Sequence, residues 1–266
     1  MENFTEHQIR LDEYITGNRF IDICQNTDAT FCKTDYIARF HDTSHKVFIT
    51  HNSDYHIDER AFEFGPTCNL WLAQNKHCQF SNLESIPIGL ENMQLRTSEA
   101  ASGGQYSSQV NGATEKALLI DKYNTFEMQK TGLIYMNFNI QTFPHERQLV
   151  WDMFKDKDWV TKTKDLPLQK FYFDLASHKF VISPRGNGTD CHRTWEALYL
   201  RTIPIVKRSA TMVDFKDLPI YYVDDWSEIS YTKLNEYYET VQGSLFDLRK
   251  LKISAWRDYI NEKLSV

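Results

Sequence analysis

Lys179-Phe180-Val181-Ile182-Ser183-Pro184-Arg185-Gly186-Asn187-Gly188-Thr189-Asp190-Cys191-His192-Arg193-Thr194-Trp195-Glu196-Ala197-Leu198 changes its hydrophobic period part-way along. Residues 179–183 are a short apolar run, as expected of a strand buried on both faces. Beyond Cys191 the apolar residues fall at helical spacing, which predicts a helix over 191–201 with Trp195 and Leu198 turned to the core. The connecting loop holds Gly186 and Gly188, which permit close backbone approach and positive φ. A strand end, a glycine-containing loop and a helix start together offer unpaired N–H groups and partial positive charge to an anion. His192, Arg193 and Glu196 stand at i, i+1 and i+4, so they share a sector of the first turns. Cations beside the phosphates and a carboxylate one turn deeper, able to accept from both ribose hydroxyls, suit a nucleoside diphosphate. The plainer alternative is an exposed Arg193–Glu196 ion pair worth a few tenths of a kcal/mol; the strand–loop–helix setting favours the site.

Outward from this stretch, strand-like and helix-like segments alternate. Strands are expected at 133–138, 159–162, 179–183, 203–206 and 219–223, with a helix opened by Pro144, one at 168–178 and one at 191–201. Such alternation with apolar strands predicts a parallel sheet covered on both faces, with ligands beyond the carboxyl ends of the strands. Upstream, residues 20–24, 46–50, 69–73 and 84–89 read as strands and 35–40 as a helical segment, giving a smaller α/β unit. Residues 101–112 are rich in glycine and serine and read as a mobile loop, while 231–264 carry helical periodicity broken at Gly243. The division expected is a first domain over 1–125, a Rossmann-like nucleotide-binding domain over 126–230, and helices over 231–266 that pack across both.

The chain has 266 residues, 30 Lys+Arg against 36 Asp+Glu, and a formal charge of -6, a balance that argues against nucleic acid as the main partner. No apolar run approaches the length of a transmembrane helix, and the start, Met1 to Glu6, has neither a basic nor an apolar leader region, so a cytoplasmic location is expected. Five cysteines without a CxxC pair read as reduced thiols. The sequons at Asn3 and Asn187 matter only in a secretory protein and are discounted. His41, His45, His51 and His56 lack HExxH or His-x-His spacing, so no metal site is expected there. Cys191 stands where the dinucleotide fingerprint needs its third glycine, and GxxxxGK[ST] is absent, which leaves NAD and a P-loop unsupported.

Residues 180–186, then 190–198, then Ile203-Pro204-Ile205-Val206 resemble the donor-binding segment of exostosin-like glycosyltransferases: PRG, a spacer, R-x-x-E-A-L and a proline-containing strand. Similar segments occur in glycosyltransferases of large algal viruses. Residues 133–139 with Pro144-x-x-Arg147 resemble the first strand and helix of the same domain, and Ile86-Pro87-Ile88-Gly89-Leu90-Glu91-Asn92 resembles the PIG segment of its partner domain. The resemblance is concentrated in 132–225. It implies a GT-B fold, two Rossmann-like domains facing across a cleft, the first reduced in size. It also implies a UDP-sugar donor, xylose by the viral similarity, transferred with inversion to a glycan hydroxyl. Glu196 would then bind the ribose, with His192, Arg193 and the loop residues Arg185, Gly186, Asn187 and Asp190 at the diphosphate and Arg147 as a further cation. Helix N–H groups and cations can stabilise the leaving diphosphate, so no metal or other cofactor is expected.

Inversion requires a general base beside the acceptor hydroxyl, and the 46–50 strand ends in His51-Asn52-Ser53-Asp54-Tyr55-His56. Asp54 is the first candidate base and His51 the second, with Tyr55 and His56 as acceptor contacts; the plainer role for Asp54 is to cap a turn. Trp71 and Trp151 could stack on a sugar, but tryptophans near strands and helices are more often core, and neither is given a site role. Two rivals stand beside this reading: a non-catalytic nucleotide- or glycan-binding module, and an unrelated Rossmann-like enzyme such as a methyltransferase.

Overall fold

The computed structural model describes residues 1–92, 112–126 and 128–266, so the stretch read as a mobile loop lies, except for Gly112, outside the described residues. The first unit comprises β1 (Glu2–Asn3), α1 (Gly17–Gln25), β2 (Thr30–Lys33), β3 (Ser44–His51), α2 (Glu59–Glu63), β4 (Thr67–Ala73) and β5 (Leu83–Ser85). Its sheet is parallel, in the order β2-β3-β4-β5, with a 3-10 turn over Thr34–Phe40. Two expectations fail here. Residues 20–24 lie in α1 and form no strand: Thr16 caps the helix by accepting from the Arg19 N–H, and Phe20 and Ile23, three apart, are the buried pair. A five-residue apolar run is too short for periodicity to separate helix from strand, and the cap decides it. The first strand is instead β2, Thr30-Phe31-Cys32-Lys33, whose polar ends hid it. Residues 84–89 are strand only as far as Ser85, because Pro87 has no N–H for a ladder and Gly89 turns the chain at φ 66.

The second unit comprises α3 (Gly112–Thr125), β6 (Gly132–Met136), α4 (Pro144–Phe154), β7 (Val160–Lys162), α5 (Leu168–Ala176), β8 (His178–Ile182), α6 (His192–Tyr199), β9 (Ile203–Lys207) and β10 (Tyr221–Val223). The sheet is parallel throughout, in the order β7-β6-β8-β9-β10. Strand order therefore reverses between β6 and β8, and the crevice at that switch point is where an open α/β sheet binds its ligand. α3 packs on this unit: Tyr123 Oη donates to Gln169 O at 3.0 Å and Asn124 Nδ2 to Tyr199 O at 2.9 Å.

The carboxyl-terminal segment contacts both units. α7 (Tyr231–Gln242) lies on the second, where Tyr237 Oη donates to Ile220 O at 3.0 Å. Past Gly243, β11 (Leu245–Phe246) pairs antiparallel with β1. α8 (Ile253–Leu264) then covers the first sheet, with Trp256 against Phe20 and Tyr259 Oη donating to Glu84 at 2.7 Å. One apolar cluster runs through both units, and a smaller one fills the far face of the first sheet. Buried polar ties cross the junction: Lys76, 1% exposed, reaches Asp214 Oδ2 at 2.5 Å, and the same oxygen accepts the Ser85 N–H at 2.8 Å. Two parallel α/β sheets thus face one cleft, the arrangement expected of a GT-B chain. The five cysteines are free thiols. No helix among the described residues is long and apolar enough to cross a membrane.

Candidate active site

The carboxyl ends of both sheets point into the cleft, where two cavities adjoin. The larger, about 710 Å³, is walled mainly by loops after β2, β3, β4 and β5, including Lys33, Asp35, Asn52, Tyr55 and Gln74. The smaller, about 440 Å³, lies at the switch point between the loops after β6 and β8, and ends in an apolar wall of Leu166, Leu168 and Phe171. Asp54, Ile88, Glu91, Asn187 and His192 line both.

α6 opens into the smaller cavity. Its cap residue Cys191 is extended; Sγ lies 3.7 Å from Thr194 Oγ1, but the side chain accepts from no backbone N–H of the first turn, so those N–H groups lack a side-chain cap. Two guanidinium groups stand beside it. Arg147, only 4% exposed, donates from Nε to Arg185 O at 2.8 Å and from Nη1 to Asn139 O at 2.7 Å. Arg193 donates from Nε to Asn137 O at 3.0 Å, and both cations lie within 5.7 Å of the Phe138 ring centroid. Neither forms an ion pair with a carboxylate among the described residues. Burial, with Arg193 as a like-charged neighbour, pushes the Arg147 pKa down to about 10. Arg193 Nη1 also donates to Cys191 Sγ at 3.9 Å, so the two crowded cations are held by carbonyls and a thiol beside the start of α6, where their charge is open to an anion.

Glu196 also faces this cavity, buried and paired with Lys116 Nζ at 2.7 Å; burial disfavours its charge, but the ammonium outweighs that and holds the carboxyl below its usual range. His192 Nδ1 lies 2.7 Å from Gly89 O, which can only accept, so this nitrogen carries the proton and Nε2 faces Glu91 at 3.7 Å. Asn187 Nδ2 reaches across the cleft to Asp54 Oδ2 at 3.3 Å. Four of the proposed donor contacts, Arg147, His192, Arg193 and Glu196, therefore line one cavity, together with Gly186 and Asn187.

Two others are engaged elsewhere. The Arg185 side chain folds onto its own loop, donating to Asn187 O at 2.8 Å and lying 4.5 Å from the Phe143 ring, and lines a separate small cavity beside Lys207 and Arg208. The Asp190 carboxylate is consumed by N–H donors, Cys191 at 2.8 Å, Trp195 Nε1 at 2.8 Å and Ile88 at 2.7 Å, while its own N–H donates to Asn75 Oδ1 at 2.9 Å. It ties the two domains together, and burial raises its pKa to about 7. The glycines also work differently from expectation. Gly89 has positive φ and Gly186 and Gly188 do not; a Cβ on Gly188 would sit 2.5 Å from Asn75 Nδ2, so that glycine permits close approach of the domains.

On the acceptor side Asp54 is exposed and lies where the cavities meet, while Tyr55, 66% exposed, lines the larger one. His51 is placed differently from a base. Nε2 lies 3.1 Å from Pro87 O, and Nδ1 lies 2.8 Å from both Asn52 Oδ1 and the Asn52 N–H, so both ring nitrogens are engaged within the protein. Burial pushes its pKa down to about 4. His56 lines the larger cavity with its ring stacked on His77 at 3.9 Å, and burial, followed by that neighbour, lowers its pKa to about 4. Trp71 is fully buried. Sequence reasoning missed Glu91 and Lys116. Glu91 sits within the quoted 86–92 segment without a role, and Lys116 is an unremarkable helix lysine whose burial only the tertiary structure reveals.

No family model matches the chain, and no curated protein matches it. Among solved structures it is similar to an alpha1,3-fucosyltransferase, at TM-score 0.47 and 13% identity over 90% of this chain and 78% of that one. It is also similar to AviGT4, a glycosyltransferase involved in avilamycin A biosynthesis, at TM-score 0.40 and 11% identity over 96% of this chain and 90% of that one.

Proposed function

We propose that the chain is an exostosin-like glycosyltransferase that moves a sugar from a UDP-sugar to a glycan hydroxyl by a single inverting displacement. The observation that carries this reading is the pair Arg147 and Arg193, without carboxylate ion-pair partners among the described residues, at the start of α6, in a cavity that opens directly onto Asp54. The diphosphate lies against the two guanidinium groups and the helix start, Glu196 accepts from the ribose, and the apolar wall of Leu166, Leu168 and Phe171 meets the base. The acceptor enters from the larger cavity, beside Tyr55 and His56.

Asp54 takes the proton from the acceptor hydroxyl as its oxygen attacks the anomeric carbon. The bond from that carbon to the phosphate oxygen breaks, and UDP leaves with the electron pair. Charge developing on the leaving phosphate meets cations and helix N–H groups already in place, so the step is expected to survive EDTA. Xylose is the first sugar to test, on the strength of the viral resemblance alone.

The direct test is thermal stabilisation against UDP, GDP, UDP-sugars, NAD and S-adenosylmethionine, with and without EDTA, since a ligand that binds only the folded chain raises Tm. A shift with UDP and a UDP-sugar that ignores EDTA supports the reading; a response confined to S-adenosylmethionine replaces it with a methyltransferase. Asp54→Asn is then expected to lower kcat by about 10²- to 10⁴-fold with UDP affinity kept. Turnover that survives in Asp54→Asn and is lost in Glu91→Gln would transfer the base role to Glu91, which lines both cavities as Asp54 does. UDP binding without transfer to any acceptor would favour the binding module.

A further inference from the structure

Lys116, on α3, is buried and lies 2.7 Å from Glu196 Oε1 and 3.5 Å from Glu91 Oε2. The two carboxylates come from different domains, Glu91 from the loop after β5 and Glu196 from α6, and both are themselves buried. Bringing two such groups to one ammonium in a space that must also accept a diphosphate is electrostatically demanding. Without the ammonium, either both stay ionised and repel each other and the incoming phosphates, or one takes up a proton and loses an acceptor oxygen.

Burial alone would strip the proton from Lys116, yet the two carboxylates outweigh it and hold the group charged. Lysine suits this place because a compact ammonium can serve two carboxylates at different angles, where a planar guanidinium prefers one in a fork. Glu91 is in turn faced by His192 Nε2 at 3.7 Å, so the ammonium's influence reaches the residue shared by both cavities.

We propose that Lys116 is the positioning residue of the donor site: shared between Glu196 and Glu91, it keeps both as carboxylates and lets Glu196 present its oxygens to the ribose of a nucleoside diphosphate. This rests on the donor-site reading above. It adds that ribose recognition depends on a residue of α3, with 2′-deoxy-UDP as the probe of the hydroxyl contact.

The test is calorimetric titration of the full chain with UDP and with 2′-deoxy-UDP between pH 5.5 and 8, for wild type, Lys116→Met and Lys116→Arg. Wild type is expected to prefer UDP, with the preference flat across that range. Lys116→Met should lose about tenfold or more in UDP affinity at pH 8, lose less toward 2′-deoxy-UDP, and recover on acidification as one carboxylate becomes protonated. Lys116→Arg should restore at least part of the preference. An equal loss for both nucleotides at every pH, or no loss, overturns the proposal, because a merely structural lysine would move neither the ratio nor the pH profile. The glutamate carboxyl signals of the same variants, followed by NMR, give a reading that needs no ligand. One carboxyl in Lys116→Met should titrate well above the usual carboxylate range, and carboxyls that titrate as in wild type overturn the proposal. A wild-type chain that binds neither nucleotide but shows that carboxyl shift on mutation would overturn the donor site and leave the Lys116–carboxylate coupling standing.

Discussion

Arg147 and Arg193 illustrate how far a residue's surroundings redefine it. On helix position alone Arg147 is as readily a solvated side chain as a ligand, but Phe138, three carbonyls and the Cys191 thiol surround it and Arg193, and neither has a carboxylate ion-pair partner among the described residues. Hydrogen bonds to charged groups are worth about 1.5–3 kcal/mol, so Arg193→Gln is expected to weaken UDP binding by roughly 10- to 100-fold in a calorimetric titration, while Arg185→Gln leaves it within about threefold. His51 yields a pH prediction. Its folded pKa of about 4 lies below the ordinary 6.5, so its contribution to stability is present above pH 6.5 and is lost as pH falls through 4. His7, likewise lowered to about 4 by burial, adds to the same window. Tm should therefore fall between pH 6.5 and 4, and the His51 ring signal in NMR should show no titration between pH 5.5 and 8; a midpoint near 6.5 for that ring would refute the burial argument. Of the site residues, Arg193, His192 and Glu196 were legible because one short motif places them on one helix face. Lys116 was not, because nothing in a helix sequence marks which lysine a neighbouring domain will bury.

Elements reveal where local pattern suffices. β6, β8 and β9 are buried on both faces, so each reads as an apolar run, and the alternation with helices was legible from the residues. α1 was not, since Phe20 to Cys24 suits either period and the capping Thr16 decides. Thr16→Ala is expected to cost about 1 kcal/mol in a denaturant titration, the usual worth of a lost cap. Gly188 belongs to the same scale. A methyl group there meets Asn75 at 2.5 Å, so Gly188→Ala should destabilise by about 1–3 kcal/mol and misplace the loop that carries Asn187 toward Asp54. An unchanged midpoint for that variant would show that Asn75 can move aside without loss.

At the scale of the whole molecule, the two units behave as one because their contacts are both apolar and polar. The main apolar cluster is continuous, and Lys76–Asp214, Asp190–Ile88 and Tyr199 Oη, which accepts from Ile15 N at 3.1 Å and donates to Leu251 O at 3.0 Å, bind residues distant in sequence. Asp214→Ala strands the buried Lys76 ammonium and is expected to cost about 3–5 kcal/mol, seen as a lower midpoint of a single unfolding transition. Two separate transitions in the wild type would contradict that coupling. The sequence by itself determined the two α/β units, the parallel sheet of the second, the strand–loop–helix over 179–201 and the helical periodicity of the carboxyl-terminal segment, because periodicity, glycine placement and the order of charges are local properties. Only the tertiary structure decided that α3 packs on the second unit, that Asp190 and His51 serve as ties, and that Lys116 joins two carboxylates. Each of those depends on which groups distant in sequence lose their water to one another, and burial of that kind leaves no periodic trace along the chain.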